Sequence, residues 1–150
     1  MKSVPRSLTI LLADDDADDV LLTEQAMEAS GSRGNLRSVQ DGEELSDYLW
    51  HRGAYRDPAN SPRPDLILLD LNMPRKNGQQ VLQEIKADAS LKRIPVVVMT
   101  TSADRGDIER TYQLGASSYI IKPASFDILV ETLRELEHYW GETVQLPRES

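Results

Sequence analysis

The sequence predicts an α/β protein in which a five-stranded parallel sheet lies between two layers of helices. Short, continuous apolar runs such as LTILLA (8–13), LILLDL (66–71) and IPVVVMT (94–100) are typical of strands buried on both faces. These runs alternate with segments whose apolar residues recur at helical spacing, which predicts βα units. A length of 150 residues, with 39% hydrophobic and 28% charged, fits one doubly wound domain.

Five βα units account for most of the chain. We predict strands over 8–13, 36–39, 66–71, 94–100 and 118–122. Helical patterns follow them in order: Val20 to Ala29, a segment beginning near Asp41, a segment marked by Val81, Leu82 and Ile85, then 107–116, and last a segment from Ser125 as N-cap to about Tyr139. Gly, Pro, Asn and Ser predict a long loop over 51–65. We therefore assign the domain to 8–140, with an N-terminal tail (1–7) and a C-terminal extension (141–150).

The composition excludes several classes of protein. A formal net charge of -8 disfavours nucleic acids and anionic membranes as partners. The absence of Cys excludes disulfides, thiolate metal sites and Cys nucleophiles. The start, MKSVPRSLT, lacks the apolar core of a signal peptide, and no apolar run approaches the ~18 residues of a membrane span. We expect a cytoplasmic protein.

Polar side chains lie at the ends of four predicted strands or directly after them. Parallel strands bring such residues to one edge of the sheet: Asp14, Asp15 and Asp16, then Asp70 and Asn72, then Thr100, and last Lys122. Clustered carboxylates need a cation, and Mg²⁺ prefers such oxygen ligands together with phosphate. Lys122 adds a positive charge for an anion, and a carboxylate can act as a nucleophile. Helix capping alone would account for Asp16 or Asp18, but not for Asp70 or Lys122.

Four motifs together resemble the receiver domain of two-component response regulators, over about residues 8–139. They are ILLADDDADD (10–19), PDLILLDLNMPRKNG (64–78), IPVVVMTTSAD (94–104) and GASSYIIKP (115–123). The resemblance implies a flavodoxin-like fold and a stand-alone regulator that takes a phosphoryl group from a histidine kinase. It implies a phosphoacceptor signalling protein rather than an enzyme, one that catalyses its own phosphorylation and dephosphorylation.

The resemblance also assigns the metal and phosphoryl ligands. Asp70 matches the phosphoacceptor and a Mg²⁺ ligand. Asp15 matches the direct Mg²⁺ ligand, Asp14 its neighbour acting through water, and Asn72 the residue whose backbone carbonyl binds the metal. Asp16 lies outside the acidic pair of the family, and we assign it to capping of the first helix.

Three further residues match the switch of the family. Thr100 matches the hydroxyl that turns toward the phosphoryl group, Lys122 its phosphate partner, and Tyr119 the aromatic side chain that swings inward. The long loop at 51–65 and the ending HYWGETVQLP (138–147) resemble regulators paired with bacterial phytochromes. That finer resemblance implies a phytochrome as the histidine kinase.

Two other protein classes share parts of this pattern. Haloacid-dehalogenase-type phosphatases carry a second Asp two residues after the nucleophile as general acid, but Asn72 stands there and cannot supply that proton. A flavodoxin needs a phosphate-binding loop rich in Ser, Thr and Gly after its first strand, where this chain has five Asp residues. Both classes are therefore disfavoured.

The end of the chain predicts a homodimer. Helical spacing assigns Ile128, Leu129, Leu133 and Leu136 to the core. Tyr139, Trp140, Val144 and Leu146 follow, and we expect them to form one exposed apolar patch that serves as an interface. The resemblance likewise implies self-association through the fourth and fifth helices. The alternative is that the extension folds back onto its own domain.

Overall fold

The computed structural model describes residues 7–147, in which five parallel strands form one sheet in the order β2-β1-β3-β4-β5. The strands are β1 (Thr9–Ala13), β2 (Asn35–Val39), β3 (Leu66–Leu69), β4 (Val96–Thr100) and β5 (Ser118–Ile121). The helices are α1 (Ala17–Ala29), α2 (Gly42–Trp50), α3 (Gly78–Ala87), α4 (Arg105–Gln113) and α5 (Phe126–His138). Most of the predicted N-terminal tail and the last three residues of the extension lie outside the described residues.

The sheet separates two apolar clusters, one on each face. The first cluster contains side chains of α2 and α3, and the second contains side chains of α1 and α5. The central strand β3 is buried along its whole length, as the continuous apolar run predicts. The predicted doubly wound sheet with three layers is therefore confirmed.

Strand and helix ends differ slightly from the predicted ones for local reasons. β3 ends at Leu69 because the backbone N–H of Asn72 turns back to the Asp70 carboxylate, which ends the strand ladder. The side chain of Asp16 accepts hydrogen bonds from the backbone N–H groups of Asp18 and Asp19, which confirms its predicted role as the cap of α1. Ser125 caps α5 in the same way, as predicted.

β5 forms one edge of the sheet. Its Tyr119 backbone N–H donates to the hydroxyl of Tyr112, a side chain of α4. Ile121 at the end of this strand is 49% exposed. The edge of the sheet is therefore covered in part by a side chain of the neighbouring helix.

The apolar stripe of α5 differs in one position from the predicted one. Val130 and Leu133 are buried, and Leu129 and Leu136 pack against the second cluster. The prediction that Ile128 lies in the core is wrong, because its side chain is 58% exposed. At ~100° per residue Ile128 lies about 200° around the helix axis from Val130, and so faces solvent.

The chain after α5 folds back onto the domain. A π-helical turn at Tyr139–Thr143 continues α5, and the backbone N–H of Val144 then donates to the carbonyl of Tyr139. Trp140 and Leu146 pack against the second apolar cluster. The prediction that these side chains form one exposed patch is therefore wrong, since Trp140, Val144 and Leu146 are only partly exposed and Tyr139 alone is 48% exposed. Within residues 7–147, no helix is long and apolar enough to span a membrane.

Candidate phosphoryl-accepting site

The carboxyl ends of four strands bring the predicted polar side chains together. Lys122, directly after β5, places its Nζ 2.9 Å from Asp14 Oδ2 and 2.9 Å from Asp70 Oδ2. Thr100, at the end of β4, donates from Oγ1 to Asp70 Oδ1 over 2.8 Å. Asp14, Asp70 and Thr100 are all buried. The two oxygens of the Asp70 carboxylate therefore contact different partners, a hydroxyl and an ammonium group.

Two backbone turns hold the buried carboxylates in place. Asp14 Oδ1 accepts from the Asp16 backbone N–H, and Asp70 Oδ1 accepts from the Asn72 backbone N–H. Each is the short-range turn that Asp favours at the end of a strand. Gly78 begins α3 against the second turn, where a Cβ would lie 2.5 Å from the Asp70 carbonyl oxygen. Only glycine leaves room for α3 to approach the Asp70 backbone this closely.

Three carboxylates could hold a metal ion. One oxygen each of Asp14, Asp15 and Asp70 lie within 4.8 Å of one another, with Asp15 exposed at the mouth of the site. This donor set fits a divalent cation that prefers hard oxygen ligands. The backbone N–H of Asn72 closes the turn on Asp70, and its carbonyl as a metal ligand stays a prediction.

Burial and charge act in opposite directions on the ionisable groups. Burial raises the pKa of Asp14, although hydrogen bonds from the Asp16 backbone and from Lys122 oppose the rise. Burial also lowers the pKa of Lys122, but its hydrogen bonds with Asp19, Asp14 and Asp70 outweigh that effect and raise the pKa above its usual range. Lys122 is therefore a permanent positive charge among the carboxylates.

One residue of the site was not predicted. Asp19, in the first turn of α1, places Oδ2 2.7 Å from Lys122 Nζ. The sequence signal was indirect: with Asp14 and Asp15 assigned to the metal and Asp16 to the cap, no contact was predicted for the Asp19 side chain. The contact joins residues far apart along the chain, so helix periodicity alone does not reveal it.

Tyr119 lies beside the site rather than in it. Its hydroxyl donates to the Ser102 carbonyl over 2.8 Å, and its ring packs against the first apolar cluster. Burial raises the pKa of this hydroxyl. Because Ser102 follows Thr100 by two residues, the segment after β4 connects the two side chains.

The predicted interface residues lie away from the site. Tyr139 and Trp140 line a surface cavity together with Ser117 and Ser118, at the start of β5. Lys122 follows the other end of the same strand. The structure therefore brings together Asp14, Asp15, Asp70, Thr100 and Lys122, and keeps the aromatic pair apart from them.

Comparison with known proteins identifies the family. Residues 10–134 match the response regulator receiver domain, and the chain belongs to this family. It is 41% identical to the response regulator Rcp1 of Synechocystis sp. (strain PCC 6803) over 138 residues, which cover 92% of each protein. The predicted membership of the receiver family and the predicted class of response regulator are therefore confirmed.

Solved structures of other response regulators share the whole fold. The phosphorylated cyanobacterial phytochrome response regulator RcpA is 42% identical with a TM-score of 0.86, over 95% of this chain and 100% of that one. The Mn²⁺-bound form of Rcp1 is 40% identical with a TM-score of 0.83, over 94% and 99% of the two chains. The regulator RPA3017, in red light signalling of R. palustris, is 34% identical with a TM-score of 0.89, over 95% and 99%.

Proposed function

We propose that this regulator accepts a phosphoryl group on Asp70 from a histidine kinase, with Mg²⁺, and then signals by a change of conformation. The observation that carries the proposal is the pair of contacts to the Asp70 carboxylate. Thr100 donates to one oxygen and Lys122 to the other, beside two further carboxylates that suit a cation. A hydroxyl, an ammonium group and a metal site around one carboxylate are suited to a group with three anionic oxygens.

The reaction is a displacement at phosphorus. An oxygen of Asp70 forms the new O–P bond while the N–P bond of a phosphohistidine breaks, and the imidazole leaves. Asp14, Asp15, Asp70 and the Asn72 carbonyl would hold Mg²⁺, which offsets the negative charge of the phosphoryl oxygens. Lys122 and Thr100 then donate to those oxygens instead of to the free carboxylate.

The same side chains carry the switch and the return reaction. When Thr100 moves toward the phosphoryl group, the segment from Thr100 to Ser102 moves with it. The carbonyl of Ser102 accepts a hydrogen bond from the Tyr119 hydroxyl, so the movement reaches Tyr119. Tyr119 therefore reports the state of the site to the α4–β5 surface. Water attack on the acyl phosphate restores Asp70, so the chain catalyses both its own phosphorylation and its dephosphorylation.

The kinase is proposed to be a phytochrome. Two relatives support this pairing, because RcpA is a cyanobacterial phytochrome response regulator and RPA3017 acts in red light signalling. The chain also spans almost the whole length of these relatives. We propose a receiver domain over 8–140, with a tail at 1–7 and an extension at 141–150. A cytoplasmic location remains a prediction from the sequence.

A homodimer remains part of the proposal. Trp140 and Leu146 fold back onto the domain, so support for an interface comes from the exposed side chains of Tyr112, Ile121, Ile128 and Tyr139 on α4, β5, α5 and the turn after α5. Light scattering on the full chain, and on a chain ending at Tyr139, tests this. A monomer at tens of micromolar concentration, with or without a phosphoryl analogue, would refute the dimer.

The decisive experiment is chemical. Incubation with acetyl phosphate and Mg²⁺ should add the mass of one phosphoryl group, and EDTA should prevent it. Asp70→Asn should abolish the addition, whereas Asp16→Asn, which keeps a good helix cap, should be labelled like the wild type. Labelling of Asp70→Asn at the wild-type rate would refute the phosphoacceptor. Transfer from a phosphorylated phytochrome kinase, compared with a kinase of another sensor class, tests the proposed partner.

A further inference from the structure

We propose that Asp19 is a positioning residue that holds Lys122 before phosphorylation and gives it up to the phosphoryl group. The inference rests on the proposed function of Asp70 as phosphoacceptor. It assigns to the first turn of α1 a part in the chemistry that capping of the helix does not explain.

The ammonium group of Lys122 has no donor to spare. A lysine ammonium has three N–H groups and no acceptor. Lys122 Nζ lies 2.7 Å from Asp19, 2.9 Å from Asp14 and 2.9 Å from Asp70. All three donors are therefore engaged with carboxylates. Phosphorylation of Asp70 passes the donor held by Asp70 to the phosphoryl group, but a second donor from Lys122 reaches that group only when Asp14 or Asp19 releases it.

Asp14 and Asp19 differ in their exposure to water, which decides which of them releases Lys122. The side chain of Asp14 is 4% exposed, whereas that of Asp19 is 36% exposed. A buried carboxylate that loses its cation stays desolvated, which is unfavourable. An exposed carboxylate that loses its cation is hydrated by water instead. Of Asp14 and Asp19, Asp19 is therefore the carboxylate that Lys122 gives up to make a second contact with the phosphoryl group.

The cap of α1 does not depend on the Asp19 carboxylate. The cap of α1 consists of the Asp16 side chain and the backbone N–H groups of Asp18 and Asp19, so the Asp19 carboxylate takes no part in it. Its contact with Lys122 is thus separable from helix formation. Replacement of the carboxylate leaves the cap in place and removes the competing acceptor.

The consequence is a measurable competition. With Asp19 replaced by Asn, one ammonium donor is free for the incoming group, and binding of a phosphoryl mimic becomes tighter. The contact is partly exposed, so the expected gain is about two- to fivefold in affinity. Asp18→Asn is the matched control, because it removes the same charge one residue away without a described contact to Lys122.

The experiment has two readouts on the full chain at physiological salt. The first is the affinity for beryllofluoride, a tetrahedral mimic of the phosphoryl group, measured by fluorine NMR with saturating Mg²⁺. We expect tighter binding for Asp19→Asn than for wild type and Asp18→Asn, and wild-type binding for Asp19→Glu, which restores the carboxylate. The second readout is the hydrogen exchange of the Lys122 ammonium in EDTA, which should be faster in Asp19→Asn than in Asp18→Asn.

The outcomes separate this inference from the proposed function. Equal or weaker beryllofluoride binding by Asp19→Asn than by Asp18→Asn, beside normal binding by the wild type, would overturn the role of Asp19 alone. Failure of the wild type to bind beryllofluoride would overturn the proposed function and the exchange with it. Asp19→Ser provides a second variant if Asp19→Asn does not fold, with the same expectations.

Discussion

Lys122→Met should destabilise the protein strongly in the absence of metal. Lys122 is the shared cation of Asp14 and Asp70, whose side chains are 4% and 7% exposed. Removal of one partner of a buried ion pair is unfavourable by about 3–5 kcal/mol, because a buried charge remains. For a chain of this size about 1 kcal/mol shifts the melting temperature by 2–4 °C. We therefore expect a melting temperature about 6–20 °C below that of the wild type in EDTA.

The loss of stability in Lys122→Met should decrease as the pH is lowered. Burial raises the pKa of Asp14, and Lys122 is one of the groups that oppose this rise. Without Lys122 the pKa of Asp14 in the folded protein rises further above its value in the unfolded chain. As the pH falls, Asp14 is therefore protonated in the folded protein before it is protonated in the unfolded chain. The loss of stability of Lys122→Met relative to the wild type is complete above the raised pKa of Asp14 and decreases as the pH falls through that pKa.

Thermal melts followed by circular dichroism, in EDTA and in Mg²⁺ at neutral and acidic pH, test this reasoning. Mg²⁺ should stabilise Lys122→Met more than the wild type, because the ion replaces the missing charge. Lys86→Met is the matched control: Lys86 is also half-buried, but it donates to the Lys92 and Ile94 carbonyls, and burial lowers its pKa. A Lys122→Met protein that melts within about 2 °C of the wild type in EDTA would refute the argument.

Three further changes test other parts of the structure. Asp15→Asn should raise the melting temperature by about 2 °C in EDTA and weaken the Mg²⁺ response, because it removes repulsion among the carboxylates; a lower melting temperature in EDTA would contradict this. Gly78→Ala places a Cβ 2.5 Å from the Asp70 carbonyl oxygen, so it should lower stability by about 1–3 kcal/mol and slow labelling by acetyl phosphate, whereas Gly106→Ala, whose Cβ meets a side-chain oxygen, should keep normal labelling. Trp140→Ala should lower the melting temperature by several degrees through lost packing, and an unchanged melt would show that this ring does not support the domain.

The sequence predicts the sheet and the central site well for a common physical reason. A strand buried on both faces must be apolar throughout, so β1, β3 and β4 appear as continuous runs. The sheet then forces the residue after each run to one edge, which brings Asp14, Asp70 and Lys122 together. Chemistry at strand ends is thus predictable once the strands are recognised.

Other features depend on contacts that no local pattern encodes. In α5, Val130 is buried and Ile128 is exposed, although both are aliphatic. Packing against the sheet therefore decides which of the two side chains is buried. The fold-back of Trp140 and Leu146 depends on a π-helical turn, which lacks a short sequence signal. The contact of Asp19 with Lys122 depends on where the first turn of α1 lies relative to the end of β5. Helix propensity does not specify this placement.

The contact between Tyr112 and the backbone of Tyr119 limits how other chains can approach the sheet. A free edge strand exposes backbone donors and acceptors and can recruit a further strand, which leads to fibrous aggregation. Here the hydroxyl of Tyr112 accepts a hydrogen bond from the backbone N–H of Tyr119 in β5. A partner that arrives at this face meets rings and aliphatic side chains before it meets peptide groups. Addition of a strand at this position of β5 would therefore first have to displace the Tyr112 hydroxyl from the Tyr119 backbone N–H.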